Sequence, residues 1–327
     1  MKICVYGAGA IGGHLAGRLS KGGAEVSVVV RGAQLAAIRA EGLTVRAADG
    51  VLHSRPHASD NPAELGPQDV VVVCTKVPAL ASVAAGIAPL LGPATAVAFV
   101  TNGIPWWYFD RHGGPMDGRP VPEVDPGEAI REAVGVARVL GGVIYSACAV
   151  AAPGVIEVAS QTSKLFLGEP DGSRSDRAVA LAAAFKAGGL PCSVSPDIRT
   201  DIWGKLLNNL ANGPICLLTR RSIRDTFTDP VLRDAAIRVV EEGMAVAAAM
   251  GRPVPGAAAD KVNLSAEIAH KPSILQDLEM GRPMEIDALF TVALRLAREH
   301  GVATPTLALT VALAVQAARA AGLYREA

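Results

Sequence analysis

The sequence predicts an α/β domain built on a parallel sheet, followed by an all-helical domain. Three observations predict it. Strand-like and helix-like segments alternate through the first half, and a glycine-rich turn joins the first strand to the first helix. After Pro196 nearly every segment carries a helical period.

The alternation begins with a short apolar strand, Lys2–Tyr6, and a helical period over Ala10–Leu19. A β-branched run, Glu25–Val30, leads into a helical pattern over Gln34–Glu41, and Thr44–Arg55 reads as a hairpin around Asp49–Gly50. Val70–Cys74 and Thr95–Val100 are two more buried strands, separated by a helical Leu80–Leu91. Strands that alternate with helices form a parallel sheet covered on both faces. At Trp106–Gly127 the composition shifts to four consecutive aromatics and then to Gly, Pro and charge, which reads as a long loop. Its aromatics fit either a partner or dimer surface or a lid or local hydrophobic anchor. Strand-like pieces resume at Val136–Val150 and Gly154–Glu157, with a helix over Ala178–Ala187. The helical half comprises Ile198–Leu210, Pro230–Met250, Ala257–Ile268, Met284–Glu299 and Pro305–Ala321. The expected domains are 1–196 and 197–327.

The chain has 327 residues, which at about 100–200 residues per domain is about two domains. Half the residues are hydrophobic and 19% are charged, so the sequence can fill packed cores and is not a disordered one. Thirty-one basic residues balance thirty-one acidic ones. No broad positive field exists to hold nucleic acid or an anionic membrane. Five scattered cysteines without a CxxC read as reduced thiols of a cytoplasmic protein. The histidines form no HExxH, and Pro56 separates His53 from His57, so no metal is expected. The charge-poor stretches 77–109 and 302–318 are interrupted by proline and by polar residues, and neither reads as a membrane span.

Gly7-Ala8-Gly9-Ala10-Ile11-Gly12 fits a dinucleotide-binding turn. Gly7 allows the tight bend, Gly9 lets a pyrophosphate approach the backbone, and Gly12 lets the helix pack on the strand. The alternative is a tightly packed turn that binds nothing. The second strand ends in Val30-Arg31-Gly32, without the acid that would accept from a ribose 2′-hydroxyl. An arginine there suits a 2′-phosphate, which favours NADP, although a solvated surface arginine is the plain alternative. Lys76 and Asn102 follow two further strand ends, where ligands of open α/β sheets bind. Lys76 reads as a ligand contact or a structural ion-pair partner, and Asn102 as a ligand contact or a turn residue before Gly103.

Lys205 is the only charged residue from Ile202 through Thr219, and Asn209 shares its helical face at i+4. Burial would make the lysine a competent acid or base, whereas a snorkelling lysine would do no chemistry. A second cluster runs from Lys271 through Ser273 and Asp277 to Glu285 and Asp287. Glu285 reads either as a carboxylate aimed into a cleft or as compensation of a helix dipole in the first turn.

Together, GAGAIG, Arg31, Thr75-Lys76, Asn102-Gly103, Trp203-Gly204-Lys205 with Asn209, and Ser273-x-Leu275-Gln276-Asp277 with Glu285-Ile286-Asp287 resemble the ketopantoate reductase (2-dehydropantoate 2-reductase) family. The resemblance runs from residue 7 to 287. It implies a Rossmann domain followed by a helical domain like that of 6-phosphogluconate dehydrogenase relatives, with the active site in the cleft between them. It further implies NADPH-dependent reduction of a 2-oxo acid, ketopantoate in the family. Lys205 matches the family's proton donor, and Asn209 and Ser273 match residues at the substrate. Lys76, Asn102 and Glu285 match cofactor contacts, with Asn102 also near the substrate. The chain departs from the family's asparagines at Gly213, beside which Asn212 stands one position early, at Ser222-Ile223 and at His270. These departures keep open another ketone or imine substrate on the same scaffold, and, more remotely, an NADP-binding sensor without turnover. The expected partner is a small 2-oxo acid; a homodimer stays open.

Overall fold

A computed structural model describes residues 1–324. The last three residues of the expected helical domain lie outside the described residues. The strands are β1 (Lys2–Tyr6), β2 (Glu25–Val29), β3 (Leu43–Ala47), β4 (Gly50–Ser54), β5 (His57–Ser59), β6 (Gln68–Val73), β7 (Leu91–Phe99), β8 (Val139–Tyr145), β9 (Cys148–Ala152), β10 (Val155–Val158), β11 (Lys164–Gly168) and β12 (Cys192–Val194). The main sheet has the order β12-β11-β8-β7-β6-β1-β2-β5. β1 is an interior strand between β6 and β2, with Ile3 opposite both Val26 and Val70, and these strands are apolar because both faces are covered.

One pair departs from the expected parallel sheet: β8 and β11 run antiparallel, Tyr145 opposite Lys164. No helix lies between them. A parallel return needs a crossover of a dozen or more residues, usually helical, and this stretch is instead spent on β9 and β10. Those two strands enter a second sheet, order β4-β3-β10-β9. The hairpin β3–β4 forms around Asp49–Gly50 as the turn signal predicts. The small sheet covers helix Ala10–Lys21, and glycines on the helix let it approach. A Cβ at Gly13 would stand 2.7 Å from Ile156 Cγ1, and one at Gly17 would stand 2.6 Å from Val45 Cγ2.

That layer buries His14 and Arg18. Arg18 grips Asp49 at the hairpin turn with two bonds of 2.6 Å, holding the Asp49 carboxyl down to about 2, chiefly through the guanidinium hydrogen bond. Arg18 Nε donates to His14 Nε2 at 3.2 Å, so the neutral imidazole carries its proton on Nδ1, which faces Ser146 Oγ at 3.3 Å. Burial, and then the Arg18 charge, push the imidazole down to about 4. A base whose folded pKa lies below its unfolded value of 6.5 contributes its full stability above pH 6.5 and loses it as pH falls through 4. The loss is of order 3 kcal/mol. The urea midpoint is therefore expected to fall between pH 7 and pH 4.5, and His14→Gln to flatten that slope. A wild-type midpoint that stays level over this range would contradict the assignment.

The chain groups into two compact units. One comprises Met1–Thr101, Trp106–Pro120 and Gly127–Ile198; the other comprises Asn102–Pro105, Val121–Pro126 and the chain from Arg199 onward. In the first unit, the aromatics of Trp106–Phe109 are buried, so they form a local anchor and no exposed surface. Trp106 meets Phe99 edge-on, with centroids 5.4 Å apart, beneath the Arg131 guanidinium. Arg131 also pairs with buried Asp110 at 2.6 Å.

The second unit is helical: Ile198–Thr219, Ile223–Thr226, Pro230–Ala249, Ala258–Ala266, Ser273–Glu279, a π-helical Asp287–Thr291 running into Val292–Glu299, and Pro305–Ala320. Asp229 caps Pro230–Ala249 by accepting from the Val231 and Leu232 N–H groups. The Glu242 carboxylate accepts from the first N–H groups of Pro305–Ala320, those of Thr306 and Leu307. Glu123 ties Val121–Pro126 to Arg295 at 2.5 Å. The helix predicted over Ile198–Leu210 continues through Pro214 to Thr219, because residues 210–217 are all buried and packing outweighs one lost backbone bond.

Candidate functional site

In the first unit, β1 ends at Tyr6 and Gly7 turns the chain with φ +96°, a conformation that side chains disfavour. A Cβ at Gly12 would collide with the Gly7 carbonyl and stand 3.1 Å from Cys74 Cβ, so the helix packs on the strands only because residue 12 has none. Gly9 differs: nothing lies within 4 Å of where its Cβ would be. It stands at the N-cap of Ala10–Lys21, with no side-chain cap and no acid in the first turn. The N–H groups of that turn and the positive end of the helix dipole thus face open space, a cradle that suits a phosphate. Gln34 braces the loop, its amide donating to the Ala8 carbonyl at 3.1 Å and accepting from the Gly154 N–H at 2.9 Å.

Arg31 follows β2 and is exposed at the N-cap of helix Gly32–Glu41. Thr75 and Lys76 follow β6 and are half-buried, with Thr75 Oγ1 sealed from solvent and without a hydrogen-bond partner in the protein.

In the second unit, helix Ile198–Thr219 carries Lys205 and Asn209, both half-buried, one turn apart on one face. Asn209 Nδ2 is shielded from solvent and finds no acceptor in the protein. Asn212 is buried on the same helix. Ser273 is exposed at the start of helix Ser273–Glu279. Glu285 is buried, 6% exposed, one residue before the helical turns begin at Ile286, slightly ahead of its expected place. Its carbonyl accepts from the Leu289 N–H at 3.2 Å, inside the π-helical turn.

The same turn receives Asn102–Pro105. Ile104 N–H donates to the Ala288 carbonyl at 2.9 Å, and Gly103, φ +79°, presses so closely on Ala288 that a Cβ would collide with that carbonyl. Asn102 therefore packs with the helical unit, in one body with Glu285. Phe290 from this turn and Ile274, beside Ser273, both abut Gly213: a Cβ there would stand 2.7 Å from Phe290 Cζ and 3.5 Å from Ile274 Cγ2. Lys205, Asn209, Ser273, Glu285 and Asn102 thus sit on elements of one unit, three of which converge at residue 213 and the π-helical turn.

Phe290 had no sequence signal, since a buried aromatic at helical spacing reads as core. The π-helical turn around it is a geometry that often marks functional sites and has no residue signature. Two departures from the family pattern also meet, because Ile223 N–H donates to the His270 carbonyl at 3.2 Å. No group of three or more His, Cys, Asp or Glu residues able to hold a metal occurs among the described residues. No helix of the described residues is long and apolar enough to cross a membrane.

Comparison with known proteins agrees over both units. The ketopantoate reductase PanE/ApbA family matches residues 3–172, and the ketopantoate reductase PanE/ApbA C-terminal family matches residues 197–318. A 2-dehydropantoate 2-reductase of Mesorhizobium japonicum is 41% identical over 99% of this chain and 100% of its own. A Ralstonia solanacearum crystal structure assigned as a ketopantoate reductase superposes with a TM-score of 0.91 at 38% identity, covering 98% of this chain and 99% of that one. The 2-dehydropantoate 2-reductase of Methylococcus capsulatus has a TM-score of 0.82 at 28% identity, covering 98% of each chain. The chain belongs to the ketopantoate reductase family.

Proposed function

We propose that this chain reduces 2-dehydropantoate (ketopantoate) to pantoate with NADPH, and that Lys205 is the proton donor. The observation that carries the reading is the Lys205–Asn209 face of helix Ile198–Thr219, in one unit with Ser273, Asn102 and buried Glu285.

The residues of the first unit fit the dinucleotide. Open space over Gly9, an uncapped helix N-terminus and the exposed Arg31 guanidinium suit a pyrophosphate and a 2′-phosphate. Gly7–Gly12 would hold the pyrophosphate and Arg31 the 2′-phosphate, while Lys76, Asn102 and Glu285 would contact the rest of the cofactor. When bound, NADPH supplies a hydride for the carbonyl carbon.

The chain's own residues do the remainder. Lys205 Nζ gives a proton to the carbonyl oxygen as negative charge builds on it, acid catalysis typically contributing about 10²–10⁴-fold. Asn209, Asn102 and Ser273 hold the substrate's polar groups and fix the carbonyl's orientation. Glu285, buried near the start of its helix, matches the family's acid near the cofactor ribose and the lysine.

Cofactor choice is tested at Arg31. Arg31→Ala is expected to weaken NADPH binding by about 10–100-fold, the loss of a charge-assisted bond, and to leave NADH binding nearly unchanged. Equal losses for both dinucleotides would show that Arg31 reads no 2′-phosphate.

A further inference from the structure

All five cysteines are thiols, and burial holds four of them in the protonated form. It pushes Cys4 and Cys192 up to about 12 and Cys216 up to about 11, and it raises Cys74 as well. Cys148 differs in place and in company. It is half-buried at the start of β9, the outer strand of the small sheet, and residues 149–152 after it are exposed, so a small solute can approach. Its Sγ lies 3.0 Å from Ser146 Oγ and 3.5 Å from His14 Nδ1.

The direction of these bonds is set at Arg18, because a guanidinium only donates. Asp49 holds its two terminal nitrogens, and its Nε donates to His14 Nε2 at 3.2 Å. His14 therefore turns an N–H, and no lone pair, toward Ser146 and Cys148. It cannot take the thiol proton and can only donate. Ser146 Oγ has one proton to give and two lone pairs to fill. The His14 N–H at 3.3 Å and the Ser163 hydroxyl at 2.9 Å can fill the lone pairs, which leaves the Ser146 proton for the sulfur. Donors arranged in this way favour the ionised acceptor, since a hydrogen bond to an anion is roughly twice as strong as one to a neutral atom.

We propose that Cys148 is a modification site, a thiol that hydroperoxides oxidise to the sulfenic acid while Ser146 and His14 donate to its sulfur. The thiolate is the attacking form. Its sulfur attacks one peroxide oxygen, and an S–O bond forms as the O–O bond breaks. The departing hydroxide is neutralised by the proton that the thiol released, giving one water, and two electrons pass from sulfur to peroxide. The inference is independent of the reductase reading, because every side chain in it belongs to the first unit.

The test treats the full-length protein with hydrogen peroxide at pH 7, traps sulfenic acid with dimedone, and reads the labelling rate of each cysteine by peptide mass spectrometry. Cys148 is expected to label at least about tenfold faster than any other cysteine. Ser146→Ala should slow Cys148 by about tenfold and leave the other four unchanged, the loss of one bond to a charged acceptor. Ser146→Thr, which keeps the hydroxyl, should keep the rate. Labelling of wild-type Cys148 no faster than that of the buried thiols would overturn the inference whatever the variants do. So would wild-type labelling rates in a Ser146→Ala protein that melts at the wild-type temperature.

Discussion

Lys205→Ala is expected to lower kcat for ketopantoate by about 10²–10⁴-fold, the usual range for loss of a positioned general acid, while NADPH binding is retained. The lysine is half-buried on a helix that is otherwise uncharged from Ile202 through Thr219, and Asn209 shares its face. A snorkelling lysine, with its charge in water, would cost little when truncated. The two roles separate further by chemical rescue. Added methylammonium should restore part of the rate of the alanine variant if the missing group is a proton donor, and should do nothing if the lysine only packs. A loss below tenfold, or a loss confined to KM, would remove Lys205 from the chemical step.

Gly12→Ala and Gly9→Ala are expected to weaken NADPH binding for different reasons. At Gly12 the added methyl meets the Gly7 carbonyl and Cys74 Cβ, so helix Ala10–Lys21 must move off β1 and β6. Overpacking of this kind costs about 1–3 kcal/mol, and the displaced loop should lose at least about tenfold in NADPH affinity, about 1.4 kcal/mol. The free protein therefore melts lower. At Gly9 nothing lies within 4 Å of the new methyl, and the backbone φ of −76° is one alanine adopts. The Gly9→Ala protein should keep its Tm and lose NADPH affinity, because the methyl occupies the space a pyrophosphate needs. Thermal melts with and without NADPH measure both effects. Unchanged NADPH affinity in Gly9→Ala would place the pyrophosphate elsewhere.

The parts of this account that were legible in the sequence are those set by local chemistry. The glycine turn at 7–12 is read from residue types that each answer a steric demand; the structure shows that demand at Gly7 and Gly12, and open space at Gly9. The Asp49–Gly50 hairpin is equally local. What escaped depends on partners distant in sequence. β9 and β10 join β3 across about a hundred residues to make the second sheet, a pairing that no local period encodes. Asn102–Pro105 groups with the helical unit because of a backbone bond to Ala288, and Val121–Pro126 because of the Glu123–Arg295 pair. The Gly213-Pro214 pair looks like a helix end, yet burial of the surrounding turns carries the helix to Thr219. The same is true of the candidate site. Lys205 and Asn209 stand out as polar residues in an apolar helix, whereas Phe290 is legible only once Gly213 is seen against its ring.

The measurement that tests the central claim most directly is NADPH oxidation by the purified protein, followed by absorbance, with ketopantoate beside a panel of other 2-oxo acids and with Lys205→Ala run in parallel. The account predicts turnover of ketopantoate that falls at least a hundredfold in the variant. Turnover of a different ketone alone would keep the proton-donor chemistry and contradict the substrate. Tight NADPH binding with no oxidation on any acid of the panel would contradict the account and leave a dinucleotide-binding protein that performs no reduction.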